Sequence, residues 1–106
     1  MAEYEITERP DRRPTHPGAI LRERVIDALG VSVSQFARDI RVSRQQLHSI
    51  LAETSPVTPN IAVRLGKYIG NGPLLWLRMQ SLYDLWEAEQ ELKSTLDQIP
   101  ERGTAA

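Results

Sequence analysis

Side chains able to do chemistry are sparse in this chain of 106 residues, and their placement is more informative than their number. There is no cysteine, which removes disulfides, thiolate metal sites and cysteine nucleophiles. The two histidines, His16 and His48, lie far apart, with no carboxylate at metal-ligand spacing. No glycine-rich phosphate loop is present. The serines each have a capping explanation. No catalytic residue, metal or cofactor is therefore expected. One concentration of useful groups stands out: Arg44, Gln45, His48 and Ser49. On a helix these four share the side opposite Leu47, Ile50 and Leu51. Arginine offers paired donors to guanine O6 and N7, and glutamine matches adenine N6 and N7. No acid sits on that face to repel phosphate. The chemistry expected is the reading of base edges in double-stranded DNA.

The elements that must hold this face follow from two tandem signals. Ser32 with Gln35, and Ser43 with Gln46, are serine N-caps with glutamine three residues on, the pattern of a capping box. Val33, Phe36, Ala37 and Ile40 follow helical spacing after the first. Only Arg41-Val42-Ser43 separates the two short helices, so they must cross steeply as a helix-turn-helix. In that motif the second helix enters the major groove with its N-terminal residues toward the bases. Gln35 and Ser43 stand at helix N-termini, where N–H groups and the helix dipole favour phosphate, and Thr58 with Asn60 offers a third such end. Arg38, Arg41, Arg64 and Lys67 are expected to add phosphate contacts that fix register. The turn position ordinarily takes glycine in a left-handed conformation. Arg41 there would cost roughly 1 kcal/mol, so a different turn geometry is expected, or a role for Arg41 at a phosphate.

The rest of the chain frames this unit. Residues 1–15 lack apolar periodicity and read as a flexible arm. His16-Pro17-Gly18 opens a first helix, with Leu21, Val25 and Ala28 inward and Gly30 as its stop. Thr58-Pro59 opens a fourth helix, with Ala62, Leu65 and Ile69 inward. After Gly70-Asn71-Gly72, residues 73–99 contain no glycine or proline interruption and read as one long helix. Residues 100–106 read as a disordered tail. The expected architecture is all-α: one five-helix domain over residues 16–99, with a long C-terminal helix. Hydrophobic residues make up 41% and charged residues 25%, as in a soluble globule. No apolar run reaches the roughly 18 residues of a membrane span, so a cytoplasmic location without membrane contact is expected. The net charge of −1 hides a division: residues 16–70 carry +3 and residues 71–106 carry −3. A basic centre with an acidic partner-binding end fits DNA binding.

Readers of paired half-sites need two-fold symmetry. Leu82, Leu85, Leu92, Leu96 and Ile99 recur at spacings of three, four and seven, a heptad-like seam broken by Glu89. Trp76, Met79, Tyr83 and Trp86 form a second stripe. One stripe is expected to cover the core, and the leucine stripe to meet a second copy.

From His16 onward the sequence resembles the HigA antitoxins, within the lambda-repressor-like helix-turn-helix group. The likeness rests on His16-Pro17-Gly18-Ala19-Ile20-Leu21-Arg22-Glu23, Val42-Ser43-Arg44-Gln45-Gln46 and Thr58 to Leu65. It rests above all on Gly72-Pro73-Leu74-Leu75-Trp76-Leu77-Arg78-Met79-Gln80 with Tyr83-Asp84-Leu85. It covers about residues 16–90. The resemblance implies a homodimer that binds a palindromic operator in its own promoter. It also implies neutralisation of a HigB-like RNase toxin that cleaves mRNA. Ser43, Arg44, Gln45, His48 and Ser49 match the family's groove-facing positions. The sequence departs from the family at Leu74-Leu75, where an acidic or aromatic pair is usual, and at Arg41, where glycine is usual. A stand-alone repressor without a toxin is the alternative reading. For toxin docking, Ile20, Glu23, Ile26 and Asp27 on the first helix form the expected surface, since Ile20 and Ile26 fall off its main apolar face; packing beneath the arm accounts for the same two residues.

Overall fold

Helices begin in this protein where the sequence supplies an acceptor for orphan N–H groups. The computed structural model describes residues 12–103. His16, Ser32, Ser43 and Thr58 all hold extended backbone. Their side chains accept hydrogen bonds from Gly18 N, Gln35 N, Gln46 N and Ile61 N at 2.9, 3.0, 2.9 and 3.3 Å. Pro17, Pro59 and Pro73 open their helices at positions where an N–H would be unpaired anyway. The elements are α1 (Pro17–Ile20), a π-helical turn (Leu21–Val25), α2 (Ile26–Leu29), α3 (Val33–Ile40), α4 (Arg44–Leu51), α5 (Pro59–Ile69), α6 (Pro73–Glu91) and α7 (Lys93–Leu96). No strand occurs among the described residues. The all-α class is as expected.

The first three segments form one rod that differs from the expected helix. Ile26 N–H bonds to Leu21 O, one residue further back than in an α-helix. This wide turn absorbs an extra residue and rotates everything after it. Leu21 is buried as expected, but Ile26 rather than Ala28 points inward; Ile26 is 7% exposed and Ala28 is exposed. Val25 is half-buried.

The core is formed by Leu21 and Ile26, Phe36 and Ile40, Leu47 and Ile50, Ile61 and Leu65, and Trp76. Two close approaches set its geometry. A Cβ on Gly18 would lie 1.9 Å from Ile50 O, so α1 meets the end of α4 backbone to backbone. A Cβ on Gly66 would lie 2.3 Å from the carbonyl carbon of Gly72, so α5 abuts the start of α6. Buried polar groups are paired. Gln80 accepts from Val57 N at 2.7 Å and donates to Asp84 Oδ1 at 2.9 Å, tying the α4–α5 loop to α6. Trp76 is buried with its indole N–H on Asn71 Oδ1 at 3.0 Å.

The expected helix over residues 73–99 is shorter than that span. It stops at Glu91; Leu92 sits at φ −97°, ψ 8°, and a single turn, Lys93–Leu96, follows. From Glu89 onward every described residue is exposed, so no packing supports the helix there. Ser94 and Thr95 are weak helix formers that cannot hold it by propensity.

Candidate nucleic-acid interface

Ser43 and the α3–α4 turn present α4 with its polar face outward. Arg44, Gln45 and His48 are exposed, and among the described residues their side chains make no hydrogen bond. Leu47, Ile50 and Leu51 anchor the opposite face in the core. Ser49 is different: it is half-buried, and its hydroxyl donates to Gln45 O at 3.2 Å. Its carbonyl accepts from Thr54 N at 2.9 Å and Thr54 Oγ1 at 3.1 Å. Ser49 is thus built into the helix and the loop beyond it.

The expected phosphate-binding groups divide in the same way. Lys67 is exposed. Gln35 does not close its capping box. Its Nε2 donates to Asp39 Oδ1 at 2.6 Å, and its Oε1 accepts from Arg38 Nη2 at 2.8 Å. Tyr68 OH donates to the other Asp39 oxygen at 2.6 Å, with its ring edge-on to Phe36. These donors, the Tyr68 hydroxyl first, hold the Asp39 carboxyl below the ordinary range, and the same bond raises the Tyr68 phenol. The network places Gln35 and Arg38 side by side on the exposed face of α3. Asn60 Oδ1 accepts from Arg64 Nε at 2.7 Å.

Arg41 adopts the left-handed conformation after all, at φ 66°, ψ 44°. Arg41 N–H bonds to Arg38 O at 3.2 Å and Val42 N–H to Ala37 O at 3.0 Å, the paired bonds of a Schellman motif. The expectation of a different turn geometry is therefore corrected: the backbone keeps the glycine conformation with arginine in it. Arg64 Nη1 donates to Ile40 O at 2.9 Å and Arg41 O at 3.1 Å. Asp39, Ile40, Arg41, Val63, Arg64, Lys67 and Tyr68 line an open groove of about 520 Å³ beside this turn.

Away from α4 the surfaces are of another kind. Leu85, Leu92, Leu96 and Ile99 are 57%, 43%, 46% and 59% exposed, while Leu82 is half-buried. The break at Leu92 means this seam does not run along one straight helix. The second stripe behaves as expected: Trp76 is buried, and Met79, Tyr83 and Trp86 are half-buried. Part of the expected arm is described and docks on α6. Arg13 pairs with Glu87 at 2.8 Å and lies over the Tyr83 and Trp86 rings. The remainder of the arm, residues 1–11, lies outside the described residues, as does 104–106 of the expected tail.

On the first helix the expected docking surface is corrected at Ile26. The π-helical turn brings Ile26 into the core, and Ile20, just before the turn, is half-buried against that core. Glu23 and Asp27 remain exposed, and Glu23 is paired with Arg22 at 2.9 Å. Arg22 also donates to Leu51 O and to Glu53 Oε2, locking helix one to the end of α4, and the carboxylates of Glu23 first and Glu53 second raise its pKa. Sequence reasoning missed Arg22, Arg64 and Gln80 as ties between elements. Their partners are backbone atoms of segments 23 to 29 residues away, for which the sequence carries no signal.

No family model matches the chain. It is 39% identical to virulence-associated protein I of Dichelobacter nodosus, over 80% of this chain and 79% of that one. The solved structure of antitoxin GraA in complex with its operator is 32% identical and superposes with a TM-score of 0.80, covering 93% of this chain and all of that one. The chain belongs to the HigA/GraA helix-turn-helix antitoxins. Pseudomonas aeruginosa antitoxin HigA, solved with the higBA promoter, is 29% identical with a TM-score of 0.79, covering 87% of this chain and all of that one. The likeness to HigA/GraA antitoxins thus takes in the capped helix-turn-helix and α6 together. Among the described residues, no helix is long and apolar enough to cross a membrane.

Proposed function

We propose that this protein is the antitoxin of a HigBA-like module. As a dimer it binds a palindromic operator in its own promoter, represses that operon, and neutralises an mRNA-cleaving toxin by forming a complex with it. The observation that carries the DNA-binding part is the outer face of α4: Arg44, Gln45 and His48 are uncommitted among the described residues, on a helix anchored by three buried side chains. The family supports it, since its GraA member was solved with its operator and its Pseudomonas HigA member with the higBA promoter. In this reading Arg44, Gln45 and His48 contact base edges, with Ser49 supporting Gln45. Ser43, Thr58 and Lys67 take phosphates, and Arg38 and Gln35 reach them together. The half-exposed leucines of α6 and α7 supply the dimer surface. Relatives named as HTH-type transcriptional regulators, one 35% identical from Haemophilus influenzae, favour a second reading as a repressor without a toxin.

Co-expression with the adjacent short reading frame separates the two. Rescue of growth arrest with a stoichiometric complex is the expected result. A neighbour that is harmless alone and forms no complex leaves the repressor. Footprinting on the upstream DNA tests the shared part; protection no stronger than on unrelated DNA of the same length sinks it.

A further inference from the structure

We infer that Arg64 is a positioning residue, whose guanidinium holds the strained Arg41 turn and thereby sets the aim of α4. The inference rests on the DNA-reading role of α4 proposed above. Three observations converge on it. Arg41 is a non-glycine residue in the left-handed region, at φ 66°, directly between the two helices. Such a residue persists only where its surroundings hold it. Arg64, from α5, sends one nitrogen to the carbonyls on both sides of that residue's own peptide, Ile40 O at 2.9 Å and Arg41 O at 3.1 Å. Finally, Arg64 is itself fixed: Nε donates to Asn60 Oδ1 at 2.7 Å, one helical turn back on α5.

The physical logic is specific to a guanidinium. The last carbonyls of α3 have no helical partner and sit at the negative end of its dipole, so a cation there is favourable. A rigid fork reaches two carbonyls and Asn60 at once, whereas a lysine ammonium on a flexible stem keeps no such arrangement. Among the described residues no carboxylate pairs with Arg64. Its Nη1 is given to the turn and its Nε to Asn60. The arrangement gives Asn60 the work of orienting Arg64, and it explains how arginine stands where glycine would relieve the strain.

A double-substitution cycle tests this in two media. Without DNA, Arg64→Ala lowers Tm, and the drop is smaller when Arg41→Gly is already present, because the turn no longer needs holding. Equal drops in both backgrounds overturn the inference. With DNA, Arg64→Ala and Arg64→Lys both lower the preference for the protein's own upstream DNA over unrelated DNA by about tenfold, the size of a lost left-handed-residue penalty. Arg41→Gly restores that preference. A uniform loss on every sequence, with the salt slope reduced by about one and no restoration by Arg41→Gly, makes Arg64 a phosphate contact and overturns the inference. Coupling in Tm alongside an unaltered protein with no sequence preference keeps the clamp and removes the DNA reading instead.

Discussion

Helix α4 and the outer half of α6 with α7 both leave much of their surface uncovered, but they do so in opposite chemistry. On α4 the uncovered groups are Arg44, Gln45, Gln46 and His48, while every apolar residue of that helix, Leu47, Ile50 and Leu51, is buried. Its ends are fixed by Ser43, by the Arg41 turn and by Arg22 at Leu51 O. On the far part of α6 and on α7 the uncovered groups include Leu85, Leu92, Leu96 and Ile99, and the backbone breaks at Leu92 with nothing packed around it. A rigid polar face is suited to a partner whose pattern is fixed in advance. An unsupported apolar strip is suited to a partner that completes its core. The difference also follows the charge division between residues 16–70 and 71–106.

The largest effect that sharpens this comparison is expected at its foundation. Gly66→Val places side-chain carbon within the Gly72 backbone, and a loss of about 3 kcal/mol or more is expected in urea unfolding. Gly30→Ala, in open space at φ 70°, should cost only about 1 kcal/mol by the same measurement. Equal losses would mean that the α5–α6 contact is not a constraint. Next comes the apolar strip. Leu85→Glu with Leu96→Glu is expected to convert a dimer to a folded monomer by light scattering, and an unchanged mass would place the dimer surface elsewhere. On the polar face the effects are smaller. Arg44→Ala should weaken operator binding by about 1–3 kcal/mol and relax one base position, whereas Lys67→Ala should weaken all sequences alike and lower the salt slope by about one. If both substitutions behave like Lys67→Ala, α4 reads no sequence.

The smallest expected effect concerns His16. Burial lowers its pKa below the ordinary 6.5, against the opposing pull of Glu53, Asp84 and a hydrogen bond to the Ser55 backbone. Its Nδ1 must also stay unprotonated to accept from Gly18 N. The unfolded chain therefore takes up a proton before the folded one does. Stability is complete above pH 6.5 and declines as pH falls from 6.5 toward the lowered value. His16→Asn, which keeps a capping acceptor, should flatten that part of the Tm–pH curve. A curve that keeps its slope assigns the titration to another group.

Much of the helix-turn-helix was legible because its signals are local. The serine and threonine caps, the prolines at the first helical positions and the inward residues of α3, α4 and α5 all act within one or two turns. What escaped depends on distance or on a change of period. The π-helical turn adds one residue between Leu21 and Ile26, so a 3.6-residue reading sends Ile26 outward and Ala28 inward, and Ile26 drops out of the docking surface drawn from it. Gln35 could close its box or turn to Arg38 and Asp39, and only Tyr68, 29 residues beyond Asp39, shows why the second arrangement holds. The end of α6 at Glu91 marks where support ceases, which no breaker residue announces. The polar face of α4 was visible, but the commitment of Ser49 to Gln45 O was not.

The contact at Gly66 has one more consequence. Because α5 meets the start of α6 through main-chain atoms at Gly66, no side chain at that point can act as a flexible shim. In a dimer joined along α6, the gap between the two copies of α4 is therefore a ruler cut in backbone. Half-sites for such readers are separated by about 34 Å, one helical turn of DNA. A stiff ruler tolerates few other spacings, so adding or removing one base pair between half-sites would be felt more sharply than changing a base the protein touches.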